Sequence, residues 1–339
     1  MRIKNIEQLG RLYSKLRNEL GAFVVAVLEN PEVLEIIVNS EDSGIWVEEK
    51  TKGLYDTGET IAPDKLFAAL GTIAAMNDAE INVKKPALSC VLPLDGSRVQ
   101  GTIPPLSPAG PMLCIRKHAS GLFPLSQYIE EGRIEAKYAD YLRDMIKRRK
   151  NIIVSGGTSS GKTTLGNALI KEMLGISPND RLLLMEDTKE LQCATKNKDS
   201  FTTCEGITMR DILKVILRCR PDRIIVGEVR DGAALELLKA WNTGHSGGFA
   251  TLHADSAWES LIRMEQMILE VTQSPMKELI GSAVDVVVYM KEYGKIGRQV
   301  VEILEVTGYK NGEYQCSYIF RHRDLDSGRY LEKTRGGNF

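Results

Sequence analysis

The sequence predicts an α/β protein, a mostly parallel sheet covered by helices on both faces, with a smaller α+β domain ahead of it. Three observations carry this. A glycine-rich segment stands between a short apolar run and a helix-spaced run. Further short apolar runs, each closing on a carboxylate or an imidazole, alternate with helix-period stretches. Residues 1–120 instead show short strand-like runs punctuated by turns.

The glycine-rich segment organises the rest. Ile152, Ile153 and Val154 read as a buried strand. Gly156-Gly157-Thr158-Ser159-Ser160-Gly161-Lys162-Thr163 then fits the G-x-x-x-x-G-K-[ST] phosphate-binding loop, and Thr164 follows it. From Lys162 the apolar positions Leu165, Ala168, Leu169 and Met173 have helical spacing. Glycines let the backbone reach positive φ and bring amide N–H groups close to phosphate oxygens, and a helix N-terminus adds an anion site. Lys162 is the residue to reach the β- and γ-phosphates of ATP, and the Thr163 hydroxyl the one to hold Mg²⁺.

Downstream, residues 181–185, 223–228 and 248–253 read as strands. Residues 207–219, 232–241 and 257–269 read as helices between or after them. Open parallel sheets bind ligands at the carboxyl ends of their strands, where Lys162, Glu186, Glu228 and His253 fall. NTP hydrolysis needs charge neutralisation and an oriented water. Glu228 is placed to hold Mg²⁺ or its waters, Glu186 to orient or deprotonate the attacking water, and His253 to sense the γ-phosphate. Each has a plainer reading: a strand-end or helix-start carboxylate, a satisfied strand-end histidine and, for His245, a turn residue. Residues 284–289, 298–306 and 313–320 add strands, expected as antiparallel edges. Lys310-Asn-Gly312 is a hairpin turn, and the residues after Arg323 read as a frayed tail.

Ahead of this region, residues 6–28 read as a helix stopped at Asn30-Pro31, and a helix opens at Pro63 and runs to Met76. Strand-like runs lie at 34–39, 45–48, 87–92, 97–103 and 112–118. Arg98 and Arg116 sit on two of these runs and, by composition alone, are solvated surface arginines. Helices at 122–129 and 136–150 lead into the glycine-rich loop. The basic run Lys147-Arg-Arg-Lys150 suits a helix C-terminus, with a nucleic-acid or membrane contact as the alternative. The domain reading is 1–120, a linker at 121–135, and 136–339.

Composition limits the function. The 339-residue chain has net charge -1, which argues against coating nucleic acid or an anionic membrane over its whole surface. Aromatics are 6%, so base-stacking platforms are not indicated. No apolar run is long enough to span a bilayer, and no signal peptide opens the chain, so the expected location is the cytosol. The six cysteines include no C-x-x-C pair and read as structural thiols rather than a zinc or disulfide framework.

Together the motifs resemble the secretion ATPases of type II and type IV systems over most of the chain. Glu186-Asp-Thr-Lys-Glu-Leu191 looks like that family's Asp box, and Arg220-Pro-Asp-Arg-Ile-Ile-Val-Gly-Glu-Val-Arg230 like its Walker B segment. Thr243-Gly-His-Ser-Gly-Gly-Phe-Ala-Thr-Leu-His-Ala254 looks like its His box. Pro93-Leu-Asp-Gly-Ser-Arg-Val99 and Cys114-Ile-Arg-Lys117 are similar to the N-terminal domain of the type IV branch. The tetracysteine zinc module of the type II branch is absent.

The resemblance implies a RecA-like P-loop domain behind a smaller N-terminal domain, assembled as a hexameric ring. ATP would lie between the two domains, and Arg98 and Arg116 would reach its phosphates. It implies an ATPase that powers conjugative pilus assembly or substrate export. It would work with inner-membrane components at the cytosolic face, with peripheral membrane contact possible and no direct nucleic-acid binding. The rival readings are a type II secretion or pilus-retraction motor, a nucleotide-gated scaffold without useful hydrolysis, and a DNA-translocating helicase.

Overall fold

The computed structural model describes residues 6–117, 123–204, 206–293 and 296–322. The chain divides into two compact units, Met1–Gly121 and Leu122–Phe339. His118, expected to end a strand, and the tail after Arg323 lie outside the described residues.

In the first unit, α1 (Ile6–Glu29) is followed by β1 (Val33–Val38), β2 (Gly44–Glu49) and β3 (Gly53–Thr60). Then come α2 (Pro63–Met76), β4 (Ala87–Val91), β5 (Arg98–Thr102) and β6 (Met112–Arg116). The strands form one antiparallel sheet in the order β3-β2-β1-β6-β5-β4. Apolar positions of α1 and α2, among them Leu16, Leu20, Leu66 and Leu70, share a core with Ile36, Val47 and Ile115 of the sheet. Helix α1 kinks at Gly21, whose φ of 82° interrupts the helical run. Gly101 is required by packing: a methyl group there would lie 2.2 Å from Leu70 Cδ2. Strand β3 was not expected from the sequence. It is an edge strand with an exposed, polar tip, so it lacks the apolar run that marks the others.

The second unit opens with α3 (Leu125–Glu130) and α4 (Ala136–Lys147). Residues 121–135, expected as a linker, supply α3. Leu125, Tyr128 and Ile134 are buried in this unit's core. Then follow β7 (Ile152–Gly156), α5 (Lys162–Ile176), β8 (Leu182–Glu186), β9 (Lys198–Thr202), α6 (Met209–Ile216) and β10 (Arg223–Val226). The remainder is α7 (Ala233–Asn242), β11 (Phe249–Leu252), α8 (Ala257–Leu269), α9 (Lys277–Ala283), β12 (Val286–Tyr293), β13 (Gly297–Lys310) and β14 (Glu313–Arg321).

The strand order is β14-β13-β12-β7-β11-β10-β8-β9. Every pair from β12 to β9 is parallel, and β13 and β14 extend one edge antiparallel. Alternate residues of the buried strands feed two cores. Ile152, Val154, Leu182 and Leu184 meet α3, α4 and α5, while Ile153, Leu183, Ile224 and Val226 meet α6 to α9. This double burial is why the strands read as continuous apolar runs rather than as alternation. The β13–β14 turn has Asn311 at φ 55° and Gly312 at φ 83°, the paired positive angles that a two-residue hairpin needs. Helix α6 carries a capping box between Thr208 and Asp211, and Ser256 caps α8.

Candidate nucleotide site

The parallel register lines up the carboxyl ends of β7, β11, β10 and β8. Ser155 pairs with Leu252, Ala250 with Val226, and Val226 with Met185. The loop between β7 and α5 therefore opens beside the segments that carry Glu186, Glu228 and His253. Two glycines in it are fixed by geometry. A Cβ at Gly156, where φ is 155°, would sit 2.3 Å from the Met290 carbonyl oxygen, and Gly161 caps α5 at φ 94°. Gly157, Thr158 and Ser159 form the exposed tip, with Ser159 left-handed at φ 61°. Ser160 is buried, and Thr163 and Thr164 lie in the first turn of α5.

Lys162 is 8% exposed and donates to the carbonyl oxygens of Gly156 at 3.0 Å and Gly157 at 2.8 Å. Its Nζ also lies 3.4 Å from His253 Nδ1, while His253 Nε2 lies 3.3 Å from Glu228 Oε1. Burial first, and then the Lys162 charge, hold the imidazole below its ordinary pKa against the pull of Glu228. A neutral imidazole facing an ammonium on one side and a carboxylate on the other has one sensible tautomer. Nδ1 accepts from Lys162 and Nε2–H donates to Glu228.

Glu228 lies two residues beyond β10. Arg230 grips both of its oxygens, Nε to Oε1 at 2.8 Å and Nη2 to Oε2 at 2.9 Å, and reaches Asp187 with Nη1 at 3.3 Å. Burial pushes the Glu228 carboxyl up. The hydrogen bonds and charge of Arg230, with His253 and Lys162, outweigh it and leave the group below its ordinary value.

Glu186 ends β8 and Glu190 stands in the segment that follows, and the two carboxylates meet different partners. Glu186 is 4% exposed, and its Oε1 accepts the backbone N–H groups of Glu190 and Leu191, both at 2.8 Å. It shapes the loop. Glu190 is the carboxylate that meets the phosphate-binding helix, its Oε2 accepting from Thr163 Oγ1 at 3.1 Å. Sequence reasoning singled out Glu186 because it ends the apolar run. The signal for Glu190 was a second glutamate in the same short segment.

The Thr163 hydroxyl at the start of α5 fits Mg²⁺, which takes one or two protein oxygens and otherwise phosphates and water. No group of three or more His, Cys, Asp or Glu side chains among the described residues is arranged around a metal position. Glu228, held by Arg230, is less free to serve as a direct ligand.

Arg98 and Arg116 are register partners across β5 and β6, and Arg116 pairs with Glu35 of β1, so they form one row on the first unit's sheet. His245 precedes β11, whose first residue Phe249 pairs with Ile152, the first of β7. It therefore sits at the amino ends of the strands, opposite to His253.

The family described as "Type II/IV secretion system protein" matches residues 92–301. The chain belongs to this family. Among relatives, it is 42% identical to the conjugal transfer protein TrbB of Rhizobium radiobacter over 308 residues, covering 91% of this chain and 94% of that one. It is 32% identical to the type IV secretion system protein PtlH of Bordetella pertussis over 313 residues, covering 81% and 91%. Among solved structures, the ATPase DotB of Legionella pneumophila superposes with a TM-score of 0.62 at 19% identity, covering 84% of this chain and 80% of that one. That likeness shows the shared two-domain RecA-like fold. Within the family, the match takes in the glycine-rich loop, the Glu186–Glu190 segment, Glu228 and His253. No helix among the described residues is long and apolar enough to cross a membrane.

Proposed function

We propose that this protein hydrolyses ATP with Mg²⁺ and uses the energy to drive type IV secretion or conjugative transfer. The observation that carries the reading is the convergence at the carboxyl ends of the parallel strands. The Lys162–His253–Glu228 chain and the Thr163–Glu190 pair, delivered by four strands, flank one phosphate-binding loop. Family membership and the TrbB and PtlH relatives support the transport role.

In this reading the loop amides and Lys162 bind the phosphates, with Lys162 leaving the Gly156 and Gly157 carbonyls to do so. Thr163 holds Mg²⁺, which would neutralise charge on the β- and γ-oxygens. Glu190 accepts the proton of the attacking water, and Glu186 holds the Glu190 backbone in place. His253 reports on the γ-phosphate, because Lys162 cannot shift without disturbing its Nδ1 contact. Arg98 and Arg116 supply a cationic row of the kind that recognises phosphate. The working form is a homo-oligomer, a hexameric ring at the cytosolic face of the inner membrane, partnered by membrane components of the machine.

Phosphate release from ATP by the purified protein, measured with and without Mg²⁺, tests the chemistry. Complementation of transfer in a host lacking the gene tests the role. A protein that binds ATP, restores transfer and releases no phosphate would replace the motor with a nucleotide-gated scaffold.

A further inference from the structure

The cluster just described occupies one flank of the phosphate-binding loop. Strand β7, which leads into the loop, has β11 on one side and β12 on the other, and Glu190, Glu228 and His253 all come from the β11 side. On the opposite flank stands Arg298, near the start of β13. It packs on the loop itself: a methyl group built on Gly161 would lie 2.9 Å from Arg298 Cδ. Its register partner on β12 is Glu292, yet among the described residues the guanidinium has neither an ion pair nor a hydrogen bond. A half-buried, uncommitted guanidinium against a phosphate-binding loop is an anion ligand in waiting.

A second observation lies behind it. Tyr128 is 1% exposed, and its hydroxyl has no hydrogen-bond partner among the described residues. The charges of Arg133 and Arg298 both act on that hydroxyl. Arg133 is neutralised by Glu131 at 2.6 Å and lies over the rings of Phe123 and Tyr128, so Arg298 is the cation left over. A buried hydroxyl without a partner leaves its desolvation uncompensated, so the neighbouring Arg298 charge is the polar influence acting on it.

The direction of the phosphate chain then follows. Its γ end must face Glu190, Glu228 and His253 for water to be activated there. The α-phosphate and the sugar must therefore leave on the flank of β12 and β13. We propose that Arg298 binds the α-phosphate end of the nucleotide, with Tyr128 buried behind it, and so distinguishes nucleoside di- and triphosphates from bare polyphosphate. This rests on the nucleotide reading given above.

The test is calorimetric binding of ADP and of inorganic pyrophosphate to the full-length wild type and to Arg298→Gln, with melting of each protein without ligand as the fold control. The variant should lose on the order of tenfold in ADP affinity, the scale of one charge-assisted contact, and hold pyrophosphate within about twofold. Arg298→Lys, which keeps the charge but not the fork, should recover part of the ADP affinity and serves if the glutamine variant melts early. Unchanged ADP affinity would overturn the proposal, as would equal loss of both ligands, since that would be damage to the whole loop. A wild type that binds no ADP would instead remove the nucleotide reading itself.

Discussion

The two ends of the parallel strands carry the same kinds of side chain and use them in opposite ways. At the amino ends, Arg223 is fully buried. It bonds Asp180 at 2.8 Å and the Gly247 carbonyl at 2.9 Å, while Arg149 takes the other Asp180 oxygen at 2.7 Å. Asn151 accepts from Gly247 and Gly248 N–H and donates to the Ala283 carbonyl, and Lys150 pairs with Asp285 at 2.7 Å. Each of these charges has a fixed partner, so the network locks the strands' starts. At the carboxyl ends, Lys162 rests on its own loop's carbonyls, and His253 is held by two contacts longer than 3.2 Å. Saturated charges fix a fold. Loosely held ones can change partner when an anion arrives, and function needs that freedom.

The contrast can be broken by substitution. Arg223→Ala leaves Asp180 short of a buried partner and should cost about 3–5 kcal/mol, lowering the melting temperature of the second unit by on the order of 10 °C. A melting curve within two degrees of wild type would end the claim that the amino ends are structural. Lys162→Ala should do the reverse. Turnover should fall about 10²–10³-fold, as when one transition-state donor is lost, while melting stays near wild type. Melting and turnover collapsing together would merge the two ends into one role.

Glu190→Gln sharpens the division within the site. Phosphate release should drop about 10²-fold, at the low end for a lost general base, with ADP affinity nearly unchanged. Glu186→Gln should instead weaken nucleotide binding and melting together, since it disturbs two backbone hydrogen bonds. If the glutamine at 190 is silent and the one at 186 alone kills turnover, the roles go back to the sequence expectation. Asn151→Ala should cost about 1–3 kcal/mol through the N–H groups it strands, read by denaturant unfolding.

The smallest effect concerns pH. His253 has a folded pKa below its unfolded value, so the unfolded chain takes up protons first as pH falls, and stability drops on going down through the ordinary imidazole value of 6.5. His253→Gln should flatten that slope. Glu228, also depressed, adds stability that is present above 4.5 and lost below it, a separate and more acidic window. Unfolding curves across pH 4 to 8, compared for wild type and variant, resolve the two.

Much of this was legible before folding. The phosphate-binding loop, its flanking strand and helix, and the turn at Asn311-Gly312 depend on a few adjacent residues, so motif and φ preference suffice. Strands β3 and β9 were not. Both are edge strands with exposed residues, and their pairing comes from a neighbour rather than from their own apolar content. Arg223 read as the charged start of a strand, yet it is fully buried. Only the arrival of Asp180 and Gly247 from distant segments makes that burial tolerable.

The sequence by itself determined the α/β class, the family, and the loop that marks the site, because periodicity, turn chemistry and a contiguous motif are all short-range. The tertiary structure decided which of two nearby glutamates meets Thr163, that His245 and His253 stand at opposite strand ends, and that Arg298 lies against Gly161. Those outcomes follow from register among strands far apart in the chain. That register is set by burying both faces of the sheet at once, which no local window of residues contains.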